Sequence, residues 1–360
     1  MRKADKRQTS RAAAPPALRK GETTRSGVPL AVAGSQGTAH TDDRLTIGVD
    51  LGGSSIKFGL VSREGKILKR ARIPMQVQAG PKRGLNRIIR VVRGLARGHD
   101  VAAIGVGAAG LIDHEQGIIR VPPNLPGWDG TPVKETIEKA LGIRCLVTND
   151  VNACVLGELR FGAGIGKRDI FCLTLGTGVG GALVANGKLV TGANGVAGEI
   201  GHTVIFPDGQ ICRCGNRGCL ECYVGSEYIV QRAVTRLRMQ GSKLKSRSLI
   251  RKYSGNRAEA VTPKLISRAA HHGDQLALEV IEEVGYYVGL GITNAVQLLD
   301  PELVVIGGGI SGFGKPLLES VRHTVDERVM KFPDRRLEIV LSRLGDDAGV
   351  LGASRLADYL

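Results

Sequence analysis

Two stretches of this chain repeat one pattern of short apolar segments and glycine-rich turns. The first copy runs from Leu45 to Ala71 and the second from Ile170 to Val190. Each begins with an apolar strand, turns at a polar glycine-rich loop, returns along a second strand and reverses again into a third. One such loop alone is compatible with an ordinary hairpin. The duplication favours two related α/β lobes that face one another.

The turns of both copies are rich in glycine. The first contains Gly52 and Gly53, and the second contains Gly176 and Gly178. Because glycine has no side chain, the backbone N–H groups of such turns can approach phosphate oxygens closely. A third run, Gly307–Gly309, follows the apolar segment 303–306, and a flat base or ribose can lie against its backbone. These turns indicate backbone contacts to a phosphate-bearing ligand.

A cluster of cysteines follows the second copy. Three of the seven cysteines have the spacing C-x-C-x4-C, and a histidine lies just upstream. The predicted metal ligands are His202, Cys212, Cys214 and Cys219. Three thiolates and one imidazole complete a closed tetrahedral site, so the predicted zinc ion is structural. Cys222 lies beside the cluster and is interpreted as a bystander. Two neighbouring carboxylates, Glu199 and Glu221, are not needed by such a site.

Composition and charge limit the class of protein. With 360 residues, 42% of them hydrophobic, the chain is long enough for two domains with buried cores. No run of 18 or more apolar residues occurs, which argues against a membrane span. The other cysteines are scattered in apolar surroundings, which favours a reducing compartment, the cytoplasm, over a disulfide scaffold.

The net charge of +16 can indicate nucleic acid or an anionic substrate. Much of it is concentrated in residues 1–27 and 236–257, where solvated basic segments are the simpler interpretation, so no nucleic-acid partner is expected.

The chain divides into three predicted regions. Residues 1–44 lack apolar periodicity and are predicted to be a disordered basic tail. An organellar transit peptide is an alternative, although Pro15-Pro16 interrupts a long amphipathic helix. Residues 45–149 are predicted to form a small α/β lobe, completed by about 347–360. Residues 150–346 are predicted to form a large α/β lobe that carries the zinc motif.

Three motifs together resemble a known family. The first turn reads D-x-G-G-S-x-x-K from Asp50 to Lys57, and the second reads L-G-T-G-x-G-G from Leu175. Both look like the phosphate motifs of the sugar-kinase, actin and heat-shock-chaperone superfamily. Glu199-x-Gly-His202 followed by the cysteine spacing narrows the resemblance to the ROK family of bacterial sugar kinases and sugar-responsive repressors. The resemblance covers about residues 45–360 and implies an actin-like, ribonuclease H-like α/β fold with two lobes around a cleft.

The resemblance also implies the site. From the residues alone, Asp150 is well explained as the N-cap of a helix over 151–160. The family instead implies that Asp150 is the catalytic base that accepts the proton of a sugar hydroxyl. The implied sugar-binding residues are Asn124, Asn149, Asp150, Glu199, His202 and Glu221. ATP with Mg²⁺ is the implied donor, and its implied binding residues are Asp50, Gly52, Gly53, Ser54, Lys57, Gly176, Thr177, Gly178, Gly308 and Gly309. In the loop bordering the sugar, Ala109-Gly110 replaces the family's more usual Gly-x-Pro-Gly turn.

The leading hypothesis is an ATP-dependent hexokinase of the glucokinase type, expected to be a homodimer or homotetramer. N-acetylglucosamine, N-acetylmannosamine or fructose are alternative substrates, and polyphosphate is an alternative donor. A sugar-responsive transcriptional regulator is the alternative from another class, but residues 1–44 supply no helix-turn-helix module. The zinc motif opposes a filament or chaperone protein.

Overall fold

The computed structural model describes residues 44–239, 248–331 and 333–359. The predicted tail up to residue 43, and residues 240–247 of the basic segment, lie outside this range. The strands of the described residues are β1 Leu45–Leu51, β2 Ser55–Val61, β3 Ile67–Pro74, β4 Val101–Ala108, β5 Leu111–Asp113, β6 Ile118–Val121, β7 Thr131–Pro132, β8 Cys145–Asn149, β9 Ile170–Leu175, β10 Val179–Ala185, β11 Lys188–Val190, β12 Leu303–Gly307 and β13 Glu338–Leu341. The α-helices are α1 Gly80–Ala96, α2 Val133–Leu141, α3 Asp150–Phe161, α4 Glu221–Val224, α5 Ser226–Met239, α6 Leu249–Tyr253, α7 Pro263–His271, α8 Gln275–Leu299, α9 Lys315–Arg328 and α10 Ala348–Ala353.

Two five-stranded sheets share one topology. The first has the order β3-β2-β1-β4-β8 and the second the order β11-β10-β9-β12-β13. In each sheet the first three strands along the chain form an antiparallel meander, and two later strands add in parallel. The predicted duplication is therefore confirmed. A small sheet of β5, β6 and β7 adds to the predicted elements.

The central strands of both sheets are apolar because protein covers both of their faces. In β1, Ile47 and Val49 are fully buried, and in β12 every residue is buried. Edge strand β3 is instead exposed at most positions and carries Lys69, Arg70 and Arg72, which oppose pairing with another chain.

The C-terminal helix α10 packs against the first sheet and against α3. This contact requires glycine in the strands below it. A Cβ atom on Gly48 would lie 1.9 Å from the carbonyl oxygen of Val350, and one on Gly105 would lie 1.7 Å from that of Ala353. The assignment of residues 347–360 to the first lobe stays a prediction. The boundary at residues 149 and 150 stays a prediction, since α3 contacts strands of both sheets.

The long helix α8 shares one buried core with strands of the second sheet and packs against α5, α7 and α9. Asp274 caps the start of α8, because its Oδ1 accepts the N–H of Ala277 at 2.8 Å. Within the described ranges, no helix has the length and apolar character needed to cross a membrane.

Candidate active site

The first glycine turn, Gly52–Ser54, connects β1 to β2. The register of these strands pairs Asp50 with Lys57, so both side chains lie at the base of the turn. Asn124 borders the turn from the loop after β6, since a Cβ atom on Gly53 would lie 3.2 Å from the Cβ of Asn124. Asn124 is exposed, which leaves its amide accessible to a ligand.

Lys57 bridges two carboxylates beside this turn. Its Nζ lies 3.1 Å from Oδ2 of Asp50 and 2.8 Å from Oδ1 of Asp346. Burial acts to lower the pKa of Lys57, but the charges and hydrogen bonds of Asp50 and Asp346 raise it above its ordinary value. Burial raises the pKa of Asp50, and Lys57 opposes that shift. Lys57 is therefore a paired cation, and Asp346 is a partner that the sequence analysis did not identify.

The second glycine turn, Gly176–Gly178, connects β9 to β10 and is held from outside the sheet. The carbonyl of Gly176 accepts hydrogen bonds from the N–H of Ser226 at 2.9 Å and from its Oγ at 2.7 Å. The N–H of Val179 donates to Oε2 of Glu221 at 2.9 Å. Thr177, at the tip, is exposed. The segment after the cysteine cluster therefore contacts both ends of the turn.

Asp150 is the first residue of α3, directly after β8. The N-cap is Asn149, whose Oδ1 accepts the N–H of Val151 at 2.8 Å and of Asn152 at 3.3 Å. The interpretation of Asp150 as the cap is therefore wrong. Nδ2 of Asn149 donates to the carbonyl of Gly110 at 3.0 Å, which ties the Ala109-Gly110 turn to the start of α3.

The surroundings of Asp150 favour a carboxylate that takes up a proton near neutral pH. Burial raises its pKa to about 6, repulsion from Asp50 and Glu199 adds to the shift, and the N–H of Val151 opposes it. A base whose pKa lies close to the working pH combines the correct protonation state with useful basicity. Asp150 also keeps a partly exposed edge through which a reactant can reach it.

The four predicted metal ligands come together. Their ligand atoms all lie within 4.8 Å of one another. Nδ1 of His202 is 3.7 Å from Sγ of Cys212, and the Sγ atoms of Cys214 and Cys219 are 3.7 Å apart. Zinc–sulfur bonds of about 2.3 Å in tetrahedral geometry separate two sulfurs by roughly 3.8 Å. The cluster therefore fits a zinc ion, while Cys222 is fully buried and stands outside the ligand group.

The two carboxylates beside the cluster differ in their contacts. Burial raises the pKa of Glu199, His202 opposes the shift, and Glu221 adds to it. His202 and Glu221 are therefore close enough to Glu199 for their charges to act on its carboxyl group. Glu221 also reaches the second glycine turn through Val179. That contact joins the cysteine cluster to the turn, and the spacing of the motif gave no sign of it.

Gly308 and Gly309 follow β12 at the edge of the second sheet. Gly308 has a φ of 83°, and a Cβ atom there would lie 2.3 Å from the carbonyl oxygen of Leu175, so a side chain is excluded. A Cβ atom on Gly309 would contact nothing within 4 Å, which leaves an open backbone surface. Trp128, in the loop that follows Asn124, is fully buried and anchors that loop.

Comparison with known proteins agrees with this arrangement. The ROK family profile matches residues 46–359. A glucokinase of Thermotoga maritima is 39% identical over 310 residues, which cover 86% of this chain and 96% of that protein. A xylose repressor of Caldicellulosiruptor bescii is 31% identical, over 85% of this chain and 76% of the repressor.

Among solved structures, a ROK family glucokinase from Streptomyces griseus in complex with glucose and AMPPNP is 35% identical. It aligns with a TM-score of 0.77 over 87% of this chain and 98% of that one. The repeated sheets (apart from Leu45), the two glycine turns and the cysteine–histidine cluster all lie within residues 46–359, which the family profile matches, and the chain belongs to the ROK family.

Proposed function

We propose that this protein is an ATP-dependent glucokinase that transfers the γ-phosphate of ATP to a hydroxyl of glucose and yields glucose 6-phosphate. One observation carries the proposal: Asp150, with a pKa raised to about 6, is under the electrostatic influence of both Asp50 beside the first glycine turn and Glu199 beside the cysteine cluster. A base is thus held between a phosphate-binding element and a polar binding element. The similarity to two glucokinases supports the choice of glucose.

Asp150 is the general base. Its carboxylate accepts the proton of the sugar hydroxyl while the hydroxyl oxygen bonds to the γ-phosphorus and the bond to the bridging oxygen of ADP breaks. A well-placed base contributes about 10²–10⁴-fold to the rate. Asn149 supports this step by fixing the start of α3, so that Asp150 keeps its position.

Glucose is held by Asn124, Asn149, Glu199, His202 and Glu221. Nδ1 of His202 faces the sulfur atoms, so its Nε2 is the nitrogen available to a sugar hydroxyl. A structural zinc ion held by His202 and the three cysteines would fix the ring and its tautomer. One amide hydrogen of Asn149 is donated to the carbonyl of Gly110, so only the other can serve the sugar.

The donor lies between the glycine turns. The backbone N–H groups of Gly53, Ser54, Thr177 and Gly178 approach the phosphates, whereas the N–H of Gly52 donates to the carbonyl of Ser55 at 3.2 Å. Gly308 and Gly309 lie under the adenosine. Mg²⁺ would neutralise phosphate charge, and Asp50 is the carboxylate that would hold it. Lys57, whose Nζ lies 3.1 Å from Oδ2 of Asp50, is the side chain that would contact a phosphate at this turn.

An assay that measures the sugar phosphate formed tests the proposal, because this product appears with either donor. Glucose, N-acetylglucosamine, N-acetylmannosamine and fructose are compared with ATP and with polyphosphate as donors. We expect the highest kcat/KM with glucose and ATP. A higher value with another hexose or with polyphosphate would reassign the substrate. No turnover with any pair would favour a sugar-responsive regulator, a class to which the xylose repressor relative belongs.

A further inference from the structure

The segment after the cysteine cluster forms a clip on the second glycine turn. We define the clip as Glu221, Gly225 and Ser226. Glu221 accepts the N–H of Val179 at the end of the turn. Ser226 donates twice to the carbonyl of Gly176 at its start. Both ends of the turn are therefore fixed by residues only five positions apart in sequence.

The fit between clip and turn leaves little freedom. A Cβ atom on Gly178 would lie 2.6 Å from Oε2 of Glu221, and one on Gly225 would lie 3.1 Å from the carbonyl oxygen of Thr177. The backbone of the turn and the backbone of the clip are thus in close contact. A turn that must present N–H groups to phosphate gains from such support, because a fixed orientation lowers the entropy lost on binding.

We propose that Ser226 is a positioning residue for the donor-phosphate turn, and that the clip couples this turn to the sugar-binding residues beside the cysteine cluster. The inference rests on the proposed function. Ser226 touches neither substrate; it acts by orienting Gly176. Glu221 transmits the coupling, since one carboxylate oxygen holds Val179 while the side chain also contacts glucose. Sugar binding therefore strengthens donor binding, and by linkage donor binding strengthens sugar binding to the same extent.

The central test is the variant Ser226→Ala, which removes the Oγ bond and retains the backbone N–H bond to Gly176. Loss of one hydrogen bond of this kind predicts that the Kd of Mg·AMPPNP, measured by calorimetry, rises about two- to tenfold. The Kd of glucose measured without nucleotide stays within twofold of the parent value. Ser226→Thr keeps the hydroxyl, so the Kd of Mg·AMPPNP in this variant should stay near the parent value.

A matched control separates positioning from folding. Oγ of Ser320 donates to the carbonyl of Glu282 at 2.7 Å, and this bond joins α9 to α8 away from the glycine turns. Ser320→Ala removes an equivalent bond, so it lowers the melting temperature without changing the Kd of either ligand. In the parent protein, glucose lowers the Kd of Mg·AMPPNP, and in Ser226→Ala this effect is smaller.

Distinct outcomes would overturn the inference or the proposed function. An unchanged nucleotide Kd in Ser226→Ala would refute the positioning role. A parallel loss of glucose affinity, nucleotide affinity and melting temperature would show that Ser226 serves only the fold. Failure of the parent protein to bind Mg·AMPPNP would remove the inference altogether. Nucleotide binding with the expected Ser226 effect, but no phosphorylation of any hexose, would refute the kinase proposal while leaving the clip in place.

Discussion

The two glycine turns have the same place in the same topology, yet different interactions hold them. At the first turn, Lys57 bridges Asp50 and Asp346, and the side chain of Asp346 is 74% exposed. At the second, Glu221 and Ser226 bind backbone groups of the turn directly. Strand order is common to both copies because each sheet must bury its central strands. Asp346, Glu221 and Ser226 come from segments outside the repeats, so the interactions that hold the two turns differ.

The difference has physical consequences. Exposed charge pairs are screened by salt and contribute little at high ionic strength. Hydrogen bonds to a partly buried backbone are much less sensitive to salt. The position of the first turn is therefore expected to depend on salt concentration and pH. The position of the second turn is expected to depend on substitutions in the segment 198–226.

The largest expected effect tests whether both turns serve one reacting centre. Asp150→Asn removes the base, so we expect kcat to fall about 10²–10⁴-fold while glucose still binds. Burial raises the pKa of Asp150 above its unfolded value, so its charge destabilises the fold at pH values above that unfolded pKa. The variant should therefore melt at the same or a higher temperature at pH 8.

Asp274 offers a control for this variant, since it also lies at a helix start but far along the chain from the turns. Asp274→Asn should keep the parent kcat. Near-parent turnover by Asp150→Asn would refute the assignment of the base, and a lower melting temperature would contradict the stated effect of burial.

The next effect concerns the second turn and its support. Cys214→Ser removes one of four ligands, so we expect loss of bound zinc, measured by metal analysis, and weaker glucose binding through His202. Disturbing the support of a metal-bound histidine typically costs about 10–100-fold in affinity or activity. Cys222→Ala is the control, because Cys222 stands outside the ligand group. Full zinc content in Cys214→Ser would refute the ligand set.

The sequence predicted those parts of the molecule that depend on neighbours along the chain. The duplicated meanders follow from local apolar patterns, and the metal ligands span only residues 202–219. The contacts of Lys57 with Asp346 and of Ser226 with Gly176 join residues 289 and 50 positions apart. No periodicity encodes such pairs; they arise because α10 lies on the first sheet and α5 starts at the second turn. Burial of Trp128 likewise depends on distant packing.

A smaller and graded effect comes from pH. Asp150 acts as a base only when deprotonated, so kcat/KM for glucose should fall about tenfold per pH unit below about 6 and level off above it. The hydroxyl and backbone groups that Ser226 contributes to the second turn do not titrate in this range. Ser226→Ala should therefore keep the midpoint of the parent profile. A flat profile between pH 5 and 7 would contradict the role of Asp150.

The smallest expected effect distinguishes the two turns most directly, because two adjacent aspartates offer a matched pair. Asp346 binds Lys57, which contacts Asp50, whereas Asp347 binds Arg70 on edge strand β3. Asp346→Asn should raise KM for ATP about two- to threefold at low salt, as expected for an ion pair whose carboxylate is exposed. The increase should vanish in about 0.5 M salt, because screening weakens the ion pair of the parent protein and so removes its advantage over the variant. KM for glucose should not change.

Asp347→Asn should leave both KM values unchanged at every salt concentration, since the contact of Arg70 lies on the outer strand rather than at Asp50. Equal effects of the two variants would show that the charges merely hold the turn 345–347 in place. A salt-independent increase in Asp346→Asn would mean that Lys57 is positioned by its burial rather than by charge. The first glycine turn would then be held, like the second, by packing and hydrogen bonds, and the contrast between the two anchors would not stand.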